Sequence, residues 1–161
     1  MTDSPDNSTA PDGAKNRTQP GIAVHRQFIR DLSFENPGNN VAGQPNIDLG
    51  IDVTGDKVPG SENSYEITLQ VKVSAGSKEA TLFVLEMDYV GVFELTGFNQ
   101  NDLEPILLIE CPRILFPFAR RIIADITAEG GFPPLRIEPV DFTALYLSQK
   151  KKAETGKDAL N

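Results

Sequence analysis

Reactive side chains are scarce in this 161-residue chain. It has one cysteine, Cys111, and one histidine, His25. A lone cysteine excludes an intrachain disulfide framework, and the pair is too small a set for the usual zinc site. The chain has no Gly-x-Gly-x-x-Gly and no Gly-x-x-x-x-Gly-Lys-Ser/Thr loop, so no phosphate cradle is expected. His25 reads as an ordinary surface histidine and Cys111 as a small buried residue rather than a nucleophile. No apolar run reaches the ~18 residues of a membrane span, and no N-terminal apolar run resembles a signal peptide. The sequence therefore points to no enzyme, no metal and no cofactor, and to a soluble protein of a reducing compartment, the cytoplasm.

Apolar residues are also unevenly missing. Residues 1–20 hold no Val, Ile, Leu or Phe. Such a segment cannot offset its ordering entropy, so a disordered polar tail is expected there. Residues 150–161, KKKAETGKDALN, are expected to form a flexible tail as well. One folded domain is left, over 21–149. Net charge is −8, and it is unevenly spread. The N-terminal tail has three aspartates against one lysine and one arginine. The C-terminal tail carries four lysines against one glutamate and one aspartate, so the acidity sits in the core. An acidic core argues against nucleic acid and against insertion into an anionic membrane. It suits a basic protein partner, and acidity also serves solubility alone.

What is present first is period-two alternation. Residues 22–36 put Val24, Phe28, Leu32 and Phe34 on one face, interrupted by Arg26 and Arg30. His25, Gln27, Ile29, Asp31, Ser33 and Glu35 take the other. Residues 46–53 alternate Ile47, Leu49, Ile51 and Val53 with Asp48, Gly50 and Asp52, as in a strand near an edge. Residues 64–75 form a third strand. Residues 79–95 form a fourth, apolar on both faces, with Val84 and Glu86 on one of them. Four strands followed by helices indicate an α+β fold, with an antiparallel sheet and helices on one face.

The helical part is crowded with prolines. A short helix is expected from Asn101 or Asp102, and another from Pro112, kinked near Pro117 or starting there. Phe118, Ile122 and Ile126 fall on one stripe at i, i+4, i+8. Gly130-Gly131 ends the helix. Residues 132–139, with three prolines, read as a stiff extended crossover carrying Phe132, Leu135 and Ile137. Asp141 is the expected cap of a last helix with Phe142, Leu145 and Tyr146 apolar. Apolar rows exceed what one helix layer covers. Self-association, client binding or a fuller monomer core each account for the excess.

Three blocks resemble the SecB protein-export chaperones. They are Cys111-Pro112-Arg113-Ile114-Leu115-Phe116-Pro117-Phe118-Ala119-Arg120, then Gly131-Phe132-Pro133-Pro134-Leu135, then Pro139-Val140-Asp141-Phe142-Thr143-Ala144-Leu145-Tyr146. A fourth is Asp31-Leu32-Ser33-Phe34-Glu35-Asn36-Pro37. The resemblance implies four antiparallel strands and two main helices per subunit, assembled as a homotetramer, a dimer of dimers. It implies a nucleotide-independent holdase that binds unfolded precursors of exported proteins and passes them to the translocase ATPase, SecA. It maps ATPase docking onto Asp31, Glu35, Val84 and Glu86, with Val84 where a larger aliphatic residue is usual. The client groove maps onto Ile47, Leu49, Ile51, Phe132, Leu135, Ile137, Phe142 and Leu145. A SecB-like chaperone dedicated to a toxin–antitoxin pair is the alternative role on the same scaffold.

Overall fold

Strands β1 (Gly21–Glu35), β2 (Asn46–Lys57), β3 (Ser64–Gly76) and β4 (Thr81–Thr96) form one antiparallel sheet in the order β1-β4-β3-β2. This computed structural model describes residues 19–158. Nearly all of the expected N-terminal tail lies outside that range. Strands β2, β3 and β4 follow one another through short connections. At the β3–β4 turn, Ser77 Oγ accepts the N–H groups of Glu79 and Ala80, both at 3.2 Å. β1 does not join β2. It pairs with the far side of β4, so residues 36–45 must cross the end of the sheet. Asn36 makes that crossing. Its Oδ1 accepts the Gly38 N–H at 2.8 Å, where Gly38 has φ 77°, and its Nδ2 donates to the Gly130 carbonyl at 3.0 Å. As expected, β2 is an edge strand.

One face of the sheet carries the core. Tyr65, Ile67, Leu69, Val71, Val73 and Ala75 of β3 pair in register with Phe93, Gly91, Tyr89, Met87, Leu85 and Phe83 of β4. Partners directly opposite in an antiparallel pair share a face. Most of these side chains are fully buried. Gly91 sets the depth of the helix above them. A Cβ there would meet Phe93 at 2.5 Å and Leu115 at 2.7 Å.

The helices lie over that face. The regular helix does not start at Pro117. Helix α1 (Gln100–Pro105) passes through a π-helical turn, Ile106–Glu110, into α2 (Cys111–Glu129), and the junction residues are all right-handed helical. Pro112 and Pro117 fit because their missing N–H groups fall where they cost little. Cys111 N–H reaches back five residues to the Ile106 carbonyl, and Pro112 follows where the ladder returns to four-residue spacing. Pro117 and Arg113 are exposed, so the carbonyl freed four residues before Pro117 is at the surface. The buried stripe of α2 is Leu115, Ala119, Ile123 and Thr127, flanked by Phe116. Phe118 is 43% exposed instead of inside, and Ile122 and Ile126 only flank the core.

Thr127 joins the helix to the crossover. Its Oγ1 donates to the Ile123 carbonyl at 2.9 Å and accepts the Leu135 N–H at 2.9 Å. Arg120 Nε donates to the Ile137 carbonyl. Helix α3 (Phe142–Asp158) then starts as expected on Asp141, whose Oδ1 accepts the Ala144 N–H at 3.0 Å. It runs past the expected end. Residues 150–158 are helical rather than a separate tail, as suits their Ala, Glu and Lys content. From Lys150 to Lys157 every residue is exposed.

β1 departs from strict alternation. His25 and Arg30 have no opposite residue on β4, so each is a bulge. Every bulge reverses which side the following residues take. Ile22, Val24, Leu32 and Phe34 therefore share the helix side with Gln27 and Ile29, while Arg26 and Phe28 turn outward. This corrects the placement of Phe28. The cause is the pair of arginines. An unbulged strand would place Arg26 and Arg30 under the helices, at a cost of several kcal/mol each. Outside, both guanidiniums lie over the Phe28 ring, at 4.9 and 5.9 Å, and Arg30 pairs with Glu66.

Candidate functional site

Two surfaces qualify, one on each side of the sheet. The outer face has no helix over it. There, Asp31 lies opposite Asp88, Ser33 opposite Glu86 and Glu35 opposite Val84. The structure thus brings Asp31, Glu35, Val84 and Glu86 together on adjacent strands. Asp31, Glu35 and Glu86 are exposed and Val84 is half-buried. Sequence reasoning missed Asp88 as a member, although the alternation of β4 already puts it beside Glu86. Asp31 and Asp88 are like charges directly opposed, an arrangement that costs roughly 0.2–1 kcal/mol. Gln70 Nε2 offsets part of it by donating to Asp88 Oδ1 at 3.0 Å. Lys72 Nζ is 3.7 Å from Glu86 Oε2. Next to them is a depression of about 310 Å³ lined by Asp48, Gly50, Lys72, Val84 and Glu86 among others.

The second surface is the helix side of edge strand β2. Ile47 and Leu49 are 41% and 40% exposed, while Ile51 is half-buried. The row continues through Val53 to Gly55, where β2, α1 and the π turn enclose an open groove of about 640 Å³. Tyr65, Leu103, Leu107 and Leu108 line it with them. This groove was missed. Its sequence signal was Gly55, whose lack of a side chain leaves room beside Leu108, opposite the apolar run Ile106–Ile109.

The crossover and last helix are less open than expected. Ile137 and Phe142 are 5% and 1% exposed and belong to the core, so neither lines an accessible groove in this chain. Phe142 stacks edge-on against Phe116, with centroids 5.8 Å apart. Leu135 and Leu145 are half-buried. Phe132 packs on Phe83 and Phe34 at 5.0 and 6.3 Å, on the β1–β4 side of the sheet and away from the β2 edge. Helix α3 does approach β2, where Gln149 donates to Asp52.

The catalytic candidates stay apart from both surfaces. Burial, and then the negative charge of Glu110, push the Cys111 thiol up to about 12, which leaves it protonated and a poor nucleophile. His25 is exposed, as expected of a surface histidine, and its Nε2 lies 2.8 Å from Glu94 Oε2.

The family model described as preprotein translocase subunit SecB matches residues 15–153. This chain belongs to the SecB family. The SecB family is one of chaperones, not enzymes. The protein-export protein SecB of Hyphomonas neptunium is 49% identical over 154 residues, covering 95% of this chain and 93% of its own length. The protein of that name from Caulobacter vibrioides is 43% identical over 159 residues, covering 96% of each. Among solved structures, a SecB-like chaperone of Mycobacterium tuberculosis, in complex with a ChAD peptide from the HigA1 antitoxin, superposes with a TM-score of 0.63. Its identity is 13%, over 74% of this chain and 90% of that one. That likeness is one of fold. No helix among the described residues is long and apolar enough to cross a membrane.

Proposed function

We propose that this SecB-family member is a cytoplasmic protein-export chaperone. It binds unfolded precursor proteins, keeps them translocation-competent and delivers them to the translocase ATPase SecA. The observation that carries this reading is the separation of an exposed apolar row from an exposed acidic cluster by the thickness of one sheet. Clients lie along Ile47, Leu49 and Ile51 and continue into the groove beyond Val53, with Leu135 and Leu145 as partly exposed flanks. Apolar burial of about 25 cal/mol per Å² rewards any greasy segment and asks little of its sequence. Backbone pairing to the free edge of β2 adds affinity without adding selectivity. The carboxylates of Asp31, Glu35 and Glu86 attract a basic region of SecA, and Val84 gives it one apolar contact.

The assembly in this reading is a homotetramer, a dimer of dimers. Val24 and Ile29 on β1, at 40% and 42% exposure, and Phe118 on α2 at 43%, supply apolar surface for it. Several grooves on one particle then hold one long client by avidity. The relatives named for protein export favour this role over a toxin–antitoxin chaperone, whose representative shares only the fold.

The test is the mass of the purified protein, alone and with a denatured precursor. The expected result is four times the 17.6 kDa chain, rising by one client. A single-chain mass with no uptake of denatured protein would falsify the reading.

A further inference from the structure

Lys72 sits at the centre of a ring of carboxylates. On the outer face it lies directly opposite Glu86 on one side and Gly50 on the other. The registers place Asp88 and Asp48 at diagonal positions around it, and Asp52 at a third, although the Asp52 carboxylate is engaged by the Val53 N–H and by Gln149 of α3. Asp88 lies opposite Gln70, Asp48 opposite Ser74 and Asp52 opposite Gln70. It is the one basic residue among them. Gly50 has no side chain to cover the lysine stem, and the depression opens there. The contact to Glu86 is loose. It is 3.7 Å long, and the two side chains are 55% and 48% exposed. An exposed pair of that kind is nearly free to break.

We infer that Lys72 is a built-in competitor for the partner's cation. It lies beside Glu86 in the free protein and lowers the affinity of the outer face for a cation. On docking it yields that carboxylate to a lysine or arginine of the partner, whose apolar stem fits the depression between Gly50 and Val84. This rests on the docking reading above. The chemistry follows from charge alone. A partner cation arriving at Glu86 comes within a Debye length of the Lys72 ammonium, so each contact it gains is partly cancelled. The ring of carboxylates is strong enough to recruit a basic partner, and its central lysine keeps the complex releasable.

The experiment titrates SecA against the full chain and its variants at low and high ionic strength. Lys72→Gln is expected to tighten binding roughly threefold to tenfold at low salt. The gain should fade toward ~1 M salt, where the Debye length is about 3 Å. Lys72→Glu should tighten it further, and Lys72→Arg should restore wild-type affinity. Uptake of a denatured client should be the same in all three. Glu86→Lys separates the two ideas. If it abolishes docking while Lys72→Gln binds no tighter than wild type, the competitor role is wrong and the docking surface stands. If Glu86→Lys docks normally, the docking reading itself fails, and the inference with it.

Discussion

The two faces of the sheet use the same four strands under different rules. On the helix side, β3 and β4 bury nearly every residue, and the fit is close enough that Gly91 tolerates no Cβ. On the outer side, the same strands present Lys72 and Glu86 exposed and Glu66, Gln70 and Asp88 half-buried. Val90 is the exception. It faces outward yet is 0% exposed, lying opposite Phe28 with its two arginines. The covered face is shaped by packing, where every methylene counts. The open face is shaped by charge, and it keeps like charges opposed where packing alone would remove them. Stability resides in the first face, and in the proposed reading docking resides in the second.

The sharpest way to break this contrast is to cut the same kind of side chain on each side. Leu115 of α2 is fully buried between the helix and the sheet. Leu115→Ala is expected to cost about 2–5 kcal/mol, read as a lowered denaturant midpoint. Val84→Ala on the outer face should cost less than ~1 kcal/mol. Similar costs at both positions would mean that something covers the outer face of the free protein.

Next in size is the link between helix and crossover. Thr127→Val keeps the volume of the side chain but removes its hydroxyl. The Leu135 N–H then loses its acceptor, which costs about 1–3 kcal/mol. Faster hydrogen exchange should be confined at first to residues 132–137. Uniform loosening of the whole chain would contradict the view that Thr127 pins this segment locally.

How much of this was legible follows from what alternation can report. The four strands follow from period two, and the edge position of β2 was legible in its acidic face and Gly50. The grouping of Asp31 and Glu35 with Glu86 came from the family resemblance, because alternation sets the face of each residue on its own strand but does not say which strands pair. The faces of residues 26–29 did not follow from alternation, since a bulge is a change of phase. The signal was nevertheless in view, as two arginines in an apolar row. The prolines misled in the opposite sense. Pro117 lies on the wet side of the helix, where the freed Arg113 carbonyl can meet water. Ile137 and Phe142 read as groove residues because apolarity does not say which side of a segment is covered. Their burial depends on Arg120 and Phe116, 17 and 26 positions earlier in the chain, and such pairings are long-range.

The apolar rim gives a smaller effect on stability and a larger one on function. Leu49→Asp alone is the clean probe, because Leu135 packs against the core and its replacement would disturb the fold. Leu49 is already 40% exposed, so its stability cost should stay near ~1 kcal/mol. Uptake of a denatured precursor should fall several-fold while SecA docking holds. Parallel loss of both would deny that the two faces work separately.

The smallest effect on stability has the opposite sign. Asp31 faces Asp88 across the strands, and Asp31→Lys converts a repulsion into an attraction. The variant should be more stable than the native chain by a few tenths of a kcal/mol to ~1 kcal/mol. Salt should erase the gain, because both groups lie near the surface. SecA docking should nevertheless weaken, since the arriving cation meets a like charge. A protein that becomes sturdier as it becomes a poorer partner is what a face shaped by charge requires. If Asp31→Lys were destabilising, the opposed aspartates would be part of the fold's own support and the contrast between the faces would fail there.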